Sequence, residues 1–363
     1  MNAALILVAL AATGAPDLQR VIDRMRAEQE VPGVSAVVTR RGEVLFAGAS
    51  GEANLDSGRV MTSDTVLYAG SLSKILTAVV TLQLVDQGKL SLNEVVSGIA
   101  SDAHGGDHEI RLSHLLMHTS GLEREGDFGY WFSADFPDEA ELATYLATTE
   151  LRFAPGTTYR YSNIGFAALG PIIEAASGQA YADALQKRLF EPLGMDSSGA
   201  PGPAPDVASG YTPTGRLVPN EERPFAGVGR EVGNRHLREY HDARAMTPAF
   251  GAYTTAQDLG RLTRFLLGYG GDGVLSNDLR TKMVTSQGSG RGLGLGVARH
   301  EGRPVARHSG WFAAHRSHLL LDLETKIGVA VLTNSDSASP ADIAGALLAV
   351  AFEHETADRQ PAD

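Results

Sequence analysis

The strand-forming stretches of this chain lie at its two ends. "GVSAVVTRRGEVLFAGASG" (33–51) reads as two strands about the turn Arg41-Gly42. "RGLGLGVARH", "RPVARHSG", "HRSHLLLDLE" and "KIGVAVLTNS" follow one another with short turns between positions 291 and 335. Everything between these two groups reads as helix and loop. Strands need partners, so this distribution predicts that both chain ends share one antiparallel sheet, with helices packed on it and a mostly helical insertion. The expected fold class is α/β (α+β). The sheet domain is discontinuous, residues 16–70 and 250–363, and the helical domain spans 71–249.

Several helices are legible individually. The segment 17–33 has apolar residues at helical spacing and stops at Pro32-Gly33. A helix from about Ser71 to Gln87, closed by Gly88, is apolar almost all round and is therefore expected to be buried. Others are expected from Thr255 to Leu267 and from about Ala341 to His354. "SLNE" (91–94) matches a capping box ahead of Val95. The Pro/Gly-rich "SSGAPGPAPD" (197–206) is a connection, and 220–247 has weak periodicity and mixed charge. A loop of that length is usually functional: 197–247 is expected to lie near the site, and its mixed-charge part, Glu221 to Arg244, to cover the site and select substrate.

Composition narrows the function. The 363 residues suffice for a large core, and 43% hydrophobic with 20% charged residues is an ordinary globular balance. A net charge of −12 leaves no basic stripe for nucleic acid or anionic lipid. The absence of cysteine excludes disulfides, thiolate metal sites and a cysteine nucleophile. An apolar run from Ala3 to Ala12, then Thr13-Gly14-Ala15, resembles a signal peptide (residues 1–15), although no Lys or Arg precedes Arg20. Periplasmic or secreted localisation is the expectation, cytoplasmic the alternative. The run is shorter than the roughly 20 residues needed to span a bilayer, so stable membrane insertion is not expected. Oligomeric state is open.

Three short motifs carry the chemistry. "YAGSLSKIL" (68–76) puts Ser71 and Lys74 on one helical face. A serine hydroxyl needs a base, and lysine serves only if burial or neighbouring cations lower its pKa from about 10.4. Read alone, S-x-x-K is equally a serine N-cap followed by a snorkelling lysine. In "PGTTYRYSNIGFAALG" (155–170), Tyr161 and Asn163 alternate onto one side of an extended segment. A phenol can relay a proton and an amide can orient a lysine or bind a carbonyl. The plainer reading is a helix N-cap at Asn163 beside a half-buried tyrosine. "RHSGWFAAHRS" (307–317) places His308-Ser309-Gly310 on a strand, where the glycine allows close backbone approach or marks a bent edge.

S-x-x-K, then Y-x-N, then a basic-x-Gly strand, in that order, resembles the serine β-lactamase and penicillin-binding protein superfamily, on its class C-like side. "LLMHTSGL" (115–122), "FEPLGMDSSG" (190–199) and "FGAYTTAQDLGRL" (250–262) belong to the same likeness, which covers about residues 17–353. The resemblance implies that Ser71 is the acylated nucleophile and that Lys74 and Tyr161 form a coupled general base. It implies that Asn163 positions Lys74 and substrate, and that His308, Ser309 and Gly310 line the third motif, with His308 replacing the usual lysine. The backbone amides of Ser71 and Trp311 would form the oxyanion hole. The implied activity is hydrolysis of a small ester or amide without metal or cofactor. Alternatives are a D-amino-acid peptidase or D-Ala-D-Ala carboxypeptidase, a class C-like β-lactamase, or a slowly deacylating penicillin-binding sensor. A neutral His308 would hold a substrate carboxylate less well than lysine does, although Arg307 or Arg316 could supply the charge.

Two other patterns have simpler readings. His114 and His118 form H-x-x-x-H, with His104, Asp107 and His108 nearby, but no third ligand falls at a convincing spacing. "GLGLG" (292–296) leads into a strand and reads as backbone packing. No G-x-S-x-G elbow is present.

Overall fold

A computed structural model describes residues 15–99, 109–200, 202, 206–214, 228–238 and 242–358. The expected signal segment lies outside these residues except for Ala15, as do His104, Asp107 and His108.

Seven strands form one antiparallel sheet: β1 (Gly33–Arg40), β2 (Glu43–Asn54), β3 (Arg59–Val60), β4 (Gly296–His300), β5 (Arg303–Phe312), β6 (His315–Asp322) and β7 (Ile327–Thr333). Their spatial order is β3-β2-β1-β7-β6-β5-β4. The two chain ends meet where β1 pairs with β7, Val34 opposite Thr333 and Arg40 opposite Ile327. These central strands are buried along nearly their whole length, so both faces must be covered. On one face Val34, Ala36 and Val38 pack with α1 (Ala15–Glu28) and the C-terminal helix, Pro340–Asp358. On the other, Val37, Ala330 and Leu332 join the larger core with the helix Ala256–Leu266, whose N-cap Thr255 accepts from the Asp258 amide at 3.1 Å.

The helix Ser73–Asp86, α2, is buried from Ser73 to Leu84, as its all-round apolar pattern predicts. Helices Leu112–Leu116, Glu139–Thr148, Asn163–Ala167 and Leu169–Ser177 contribute to the same core. No helix among the described residues is long and apolar enough to cross a membrane.

Two local expectations are corrected. "SLNE" starts no helix: Ser91 N donates to Glu94 Oε2 (3.1 Å) and Glu94 N to Ser91 O (2.9 Å), closing a turn. Val96 then pairs with Ile110 instead of propagating a helix. The segment read as a long loop contains a three-stranded sheet, Gly210–Pro213, Arg235–Arg238 and Val228–Val232 in spatial order. It is joined to the end of β7 by Tyr211 N donating to Asn334 O at 3.0 Å. Residues 215–227 and 239–241 of that segment lie outside the described residues.

Candidate active site

Ser71 sits in a single 3-10 turn, Gly70–Leu72, directly ahead of α2. The turn exists because Gly70 adopts φ +54° against β5; a Cβ there would lie 2.4 Å from Trp311 N. Gly310 answers from the strand: a Cβ on it would meet Ala69 O and Ser317 Oγ at 2.2 Å and Ser71 N at 3.0 Å. Two glycines therefore let the Ser71 turn and the third motif touch backbone to backbone. Ser317 Oγ donates to Ala69 O at 2.7 Å and locks the contact. Since β4 lies outside it, β5 is not the edge strand that its glycine suggested.

Lys74 begins the first turn of α2 and does not snorkel; it is 0% exposed. Its Nζ donates to Asn163 Oδ1 (2.7 Å) and Ala249 O (2.7 Å) and lies 3.2 Å from Ser71 Oγ. Desolvation holds its pKa well below the usual lysine value; Glu125 opposes this shift and Arg124 adds to it. Ser73 faces away, donating to Gly70 O at 2.7 Å.

In the second motif the N-cap is Ser162, not Asn163: Ser162 Oγ accepts from Gly165 N at 2.9 Å. Asn163 is buried as the first helical residue. The loop from His118 to Glu125 is latched along this segment. Arg160 N donates to His118 O (2.9 Å), Ser162 N to His118 Nδ1 (3.1 Å), Ser162 Oγ to Glu123 O (2.6 Å) and Asn163 N to Arg124 O (2.8 Å). The His118 ring stacks on Tyr161 at 4.4 Å. Tyr161 lines the cleft together with Ser71, and its ring centroid lies 4.9 Å from Lys74 Nζ. Burial pushes the Tyr161 phenol well above its ordinary value, with Ser71 partly offsetting.

In the third motif His308 is buried, its ring 6.1 Å from that of Tyr161. Its Nδ1 lies 2.8 Å from Ser309 O; a carbonyl only accepts, so Nδ1 carries the proton and Nε2 keeps a lone pair. Burial, reinforced by Lys74, lowers the His308 pKa to about 3. Ser309 is exposed and its Oγ pairs with His318 Nδ1 at 2.8 Å. These groups open onto a cleft of about 850 Å³ lined by Ser71, Tyr161, Asn163 and His308. Trp131, Phe250 and Trp311 form its aromatic wall, and Arg124, Arg291, Arg307 and Arg316 its cationic one. No acidic residue among the described residues lines it.

Residues 18–352 match the Beta-lactamase family model. The chain belongs to this family. It is 30% identical over 265 residues to esterase EstB of Burkholderia gladioli, covering 67% of this chain and 65% of that one. It is 35% identical to penicillin-binding protein 4 of Amycolatopsis lactamdurans, over 50% of this chain and 48% of the relative. The matches thus span from just under half to just under two thirds of these relatives' lengths. In fold it is similar to D-amino acid amidase of Ochrobactrum anthropi, with TM-score 0.79 and 23% identity over 95% of this chain and 99% of that one.

Within this beta-lactamase-family chain the eight residues singled out from the sequence converge on one cleft or its backbone rim. The H-x-x-x-H pair does something else. His114 Nδ1 accepts from Arg111 N at 3.2 Å and His118 supports Tyr161, and no group of three metal-ligating side chains occurs among the described residues. The motifs did not reveal Ala249 O, Trp131 or Glu125. A backbone carbonyl has no sequence signature, and Glu125 belongs to no motif that the reading singled out.

Proposed function

We propose that the protein is a serine hydrolase that forms an acyl-enzyme on Ser71 and acts on small esters or uncharged or amine-bearing amides. The observation that carries this reading is the bonding of Lys74 Nζ. Two of its three hydrogen-bonding positions face atoms that only accept, Asn163 Oδ1 and Ala249 O. They take the two hydrogens of a neutral amine and leave the lone pair for the third position, Ser71 Oγ. Neutrality is favoured by the desolvation of Lys74. Lys74 then accepts the serine proton as Oγ bonds to the substrate carbonyl carbon. The Ser71 and Trp311 backbone nitrogens, held by the glycine contact, are the donors for the developing oxyanion. The proton returns through Tyr161, protonated at neutral pH, to the departing alcohol or amine. Water, activated by the same pair, releases the acid and restores Ser71.

His308 supports the choice of substrate. At the third motif a neutral imidazole with an acceptor nitrogen replaces a cation, so His308 favours a substrate hydrogen-bond donor there and leaves any carboxylate to the arginine wall of the cleft. The p-nitrophenyl esters have an activated leaving group and no carboxylate, and the anilides have no carboxylate, so expected rates on a panel fall in the order p-nitrophenyl acetate or butyrate, D-amino-acid anilides, then nitrocefin and D-Ala-D-Ala peptides. Higher kcat/KM on the last two would reverse the assignment to a carboxypeptidase or β-lactamase.

Gly310→Ala tests the oxyanion geometry. The added methyl would force the third motif away from the Ser71 turn. We expect a kcat loss of about 10²- to 10³-fold, the scale of one oxyanion donor, with KM less affected. Wild-type kcat in the folded variant would remove the two backbone nitrogens from the mechanism.

A further inference from the structure

An asparagine amide has two ends of nearly equal size, and its partners decide which way it faces. In this chain the decision falls to Glu125. Asn163 Nδ2 lies 2.9 Å from Glu125 Oε1 and 2.8 Å from Oε2, and a carboxylate only accepts. The amide nitrogen must face Glu125, and Oδ1 must face Lys74. Glu125 is itself anchored. Arg124 Nε donates to Oε1 at 2.9 Å, and the buried Tyr130 hydroxyl donates to Oε2. Its loop is latched to the second motif through Arg124 O and Glu123 O.

The reversed amide would be disabling. With NH2 toward a neutral lysine, the amine must accept that hydrogen bond and spend its lone pair. Its two hydrogens would then go to Ala249 O and Ser71 Oγ. Ser71 would receive a hydrogen bond where it has to give up a proton.

We propose that Glu125 is a positioning residue: by holding the Asn163 amide with Oδ1 toward Lys74, it keeps the lysine's lone pair directed at Ser71. This rests on reading Lys74 as the base for Ser71. Glu125 neither touches the serine nor lines the cleft itself; it acts through Asn163. The other titratable groups around Lys74 are Tyr161, His118, His308 and Arg124. Burial keeps the first three uncharged at neutral pH, so the charges acting on the lysine are Glu125 and, with opposite sign, Arg124.

The test uses the full chain with Glu125→Gln, Asn163→Ala and the double variant. It measures p-nitrophenyl butyrate hydrolysis from pH 5 to 10, the rate of Ser71 labelling by a fluorophosphonate, and Tm. Glu125→Gln frees the amide to turn. Its kcat and labelling rate should fall about 10²-fold with little change in KM, within the range of general-base catalysis. Its acid limb should move to lower pH, because the charge favouring protonated Lys74 is gone. In the Asn163→Ala background the same change should cost under about 3-fold, since residues acting as one unit are not additive. A folded Glu125→Gln with wild-type kcat and an unmoved acid limb overturns the proposal, as does an equal rate loss in both backgrounds. If Glu125→Gln does not fold, Tyr130→Phe replaces it, loosening the carboxylate while keeping its charge. A kcat loss with an unmoved acid limb then supports the proposal, and unchanged kcat overturns it. Wild-type protein that neither hydrolyses esters nor labels at Ser71 would instead overturn the acyl-enzyme reading.

Discussion

Ser71→Ala is expected to lower ester hydrolysis by about 10³-fold or more, with Tm unchanged within about 2 °C. The side chain lost is small and half-buried, and neither the 3-10 turn nor α2 uses a side-chain cap hydrogen bond. The fold therefore has little to lose, whereas the reaction loses the atom that attacks. Binding should survive, because the aromatic and arginine walls of the cleft are untouched. Intact mass after mixing with p-nitrophenyl acetate separates the outcomes. Wild type should pass through a transient acetyl adduct and turn over; Ser71→Ala should show neither. A stoichiometric burst with no turnover in wild type would make the protein an acyl-binding sensor. Hydrolysis that survives in Ser71→Ala would put the nucleophile elsewhere.

Lys74→Ala is expected to cost about 10²- to 10⁴-fold in kcat, the scale of one positioned general base. Lys74→Arg should cost a comparable amount, because guanidinium keeps the charge but cannot accept a proton. Similar losses in both variants would show that basicity, not charge, is what the site needs. In wild type the rate should rise with pH through the lowered pKa of the lysine, measured as a property of the coupled Lys74–Tyr161 pair. Stability should carry the matching sign. Between the lowered folded value and the ordinary 10.5, an unfolded chain holds a proton on Lys74 that the folded chain does not. Wild-type stability should therefore climb with pH relative to Lys74→Met, by at most about 1.4 kcal/mol per pH unit. Denaturant titrations of the two proteins at several pH values measure that slope. A flat difference would mean that Lys74 is charged in the folded state.

The legible parts of this protein were those whose signal is local or periodic. The strands β1, β2 and β4–β7 were each visible in the sequence, and the buried helix was visible because its apolar residues run all round. Ser71, Lys74, Tyr161, Asn163 and His308 stood out as residue types in short spacings. The illegible parts depend on contacts between distant segments. "SLNE" has the residues of a capping box, yet Val96 pairs with Ile110 and no helix follows. Val228–Val232 and Arg235–Arg238 lack strong alternation in the sequence; Val228–Val232 pairs with Arg235–Arg238, which pairs in turn with Gly210–Pro213, itself joined to the end of β7.

The sequence alone determined the sheet from both chain ends, the order of the three motifs and the candidate pair Ser71 and Lys74. Each is written in the identity and spacing of neighbouring residues. Only the tertiary structure decided that Lys74 is fully desolvated, that Ala249 O and Asn163 Oδ1 take its hydrogens, and that His308 offers a lone pair where a cation was usual. Those properties arise from burial and from partners 89 and 175 residues away in the chain. Proton affinity and hydrogen-bond direction are set by surroundings, and folding brings those surroundings together.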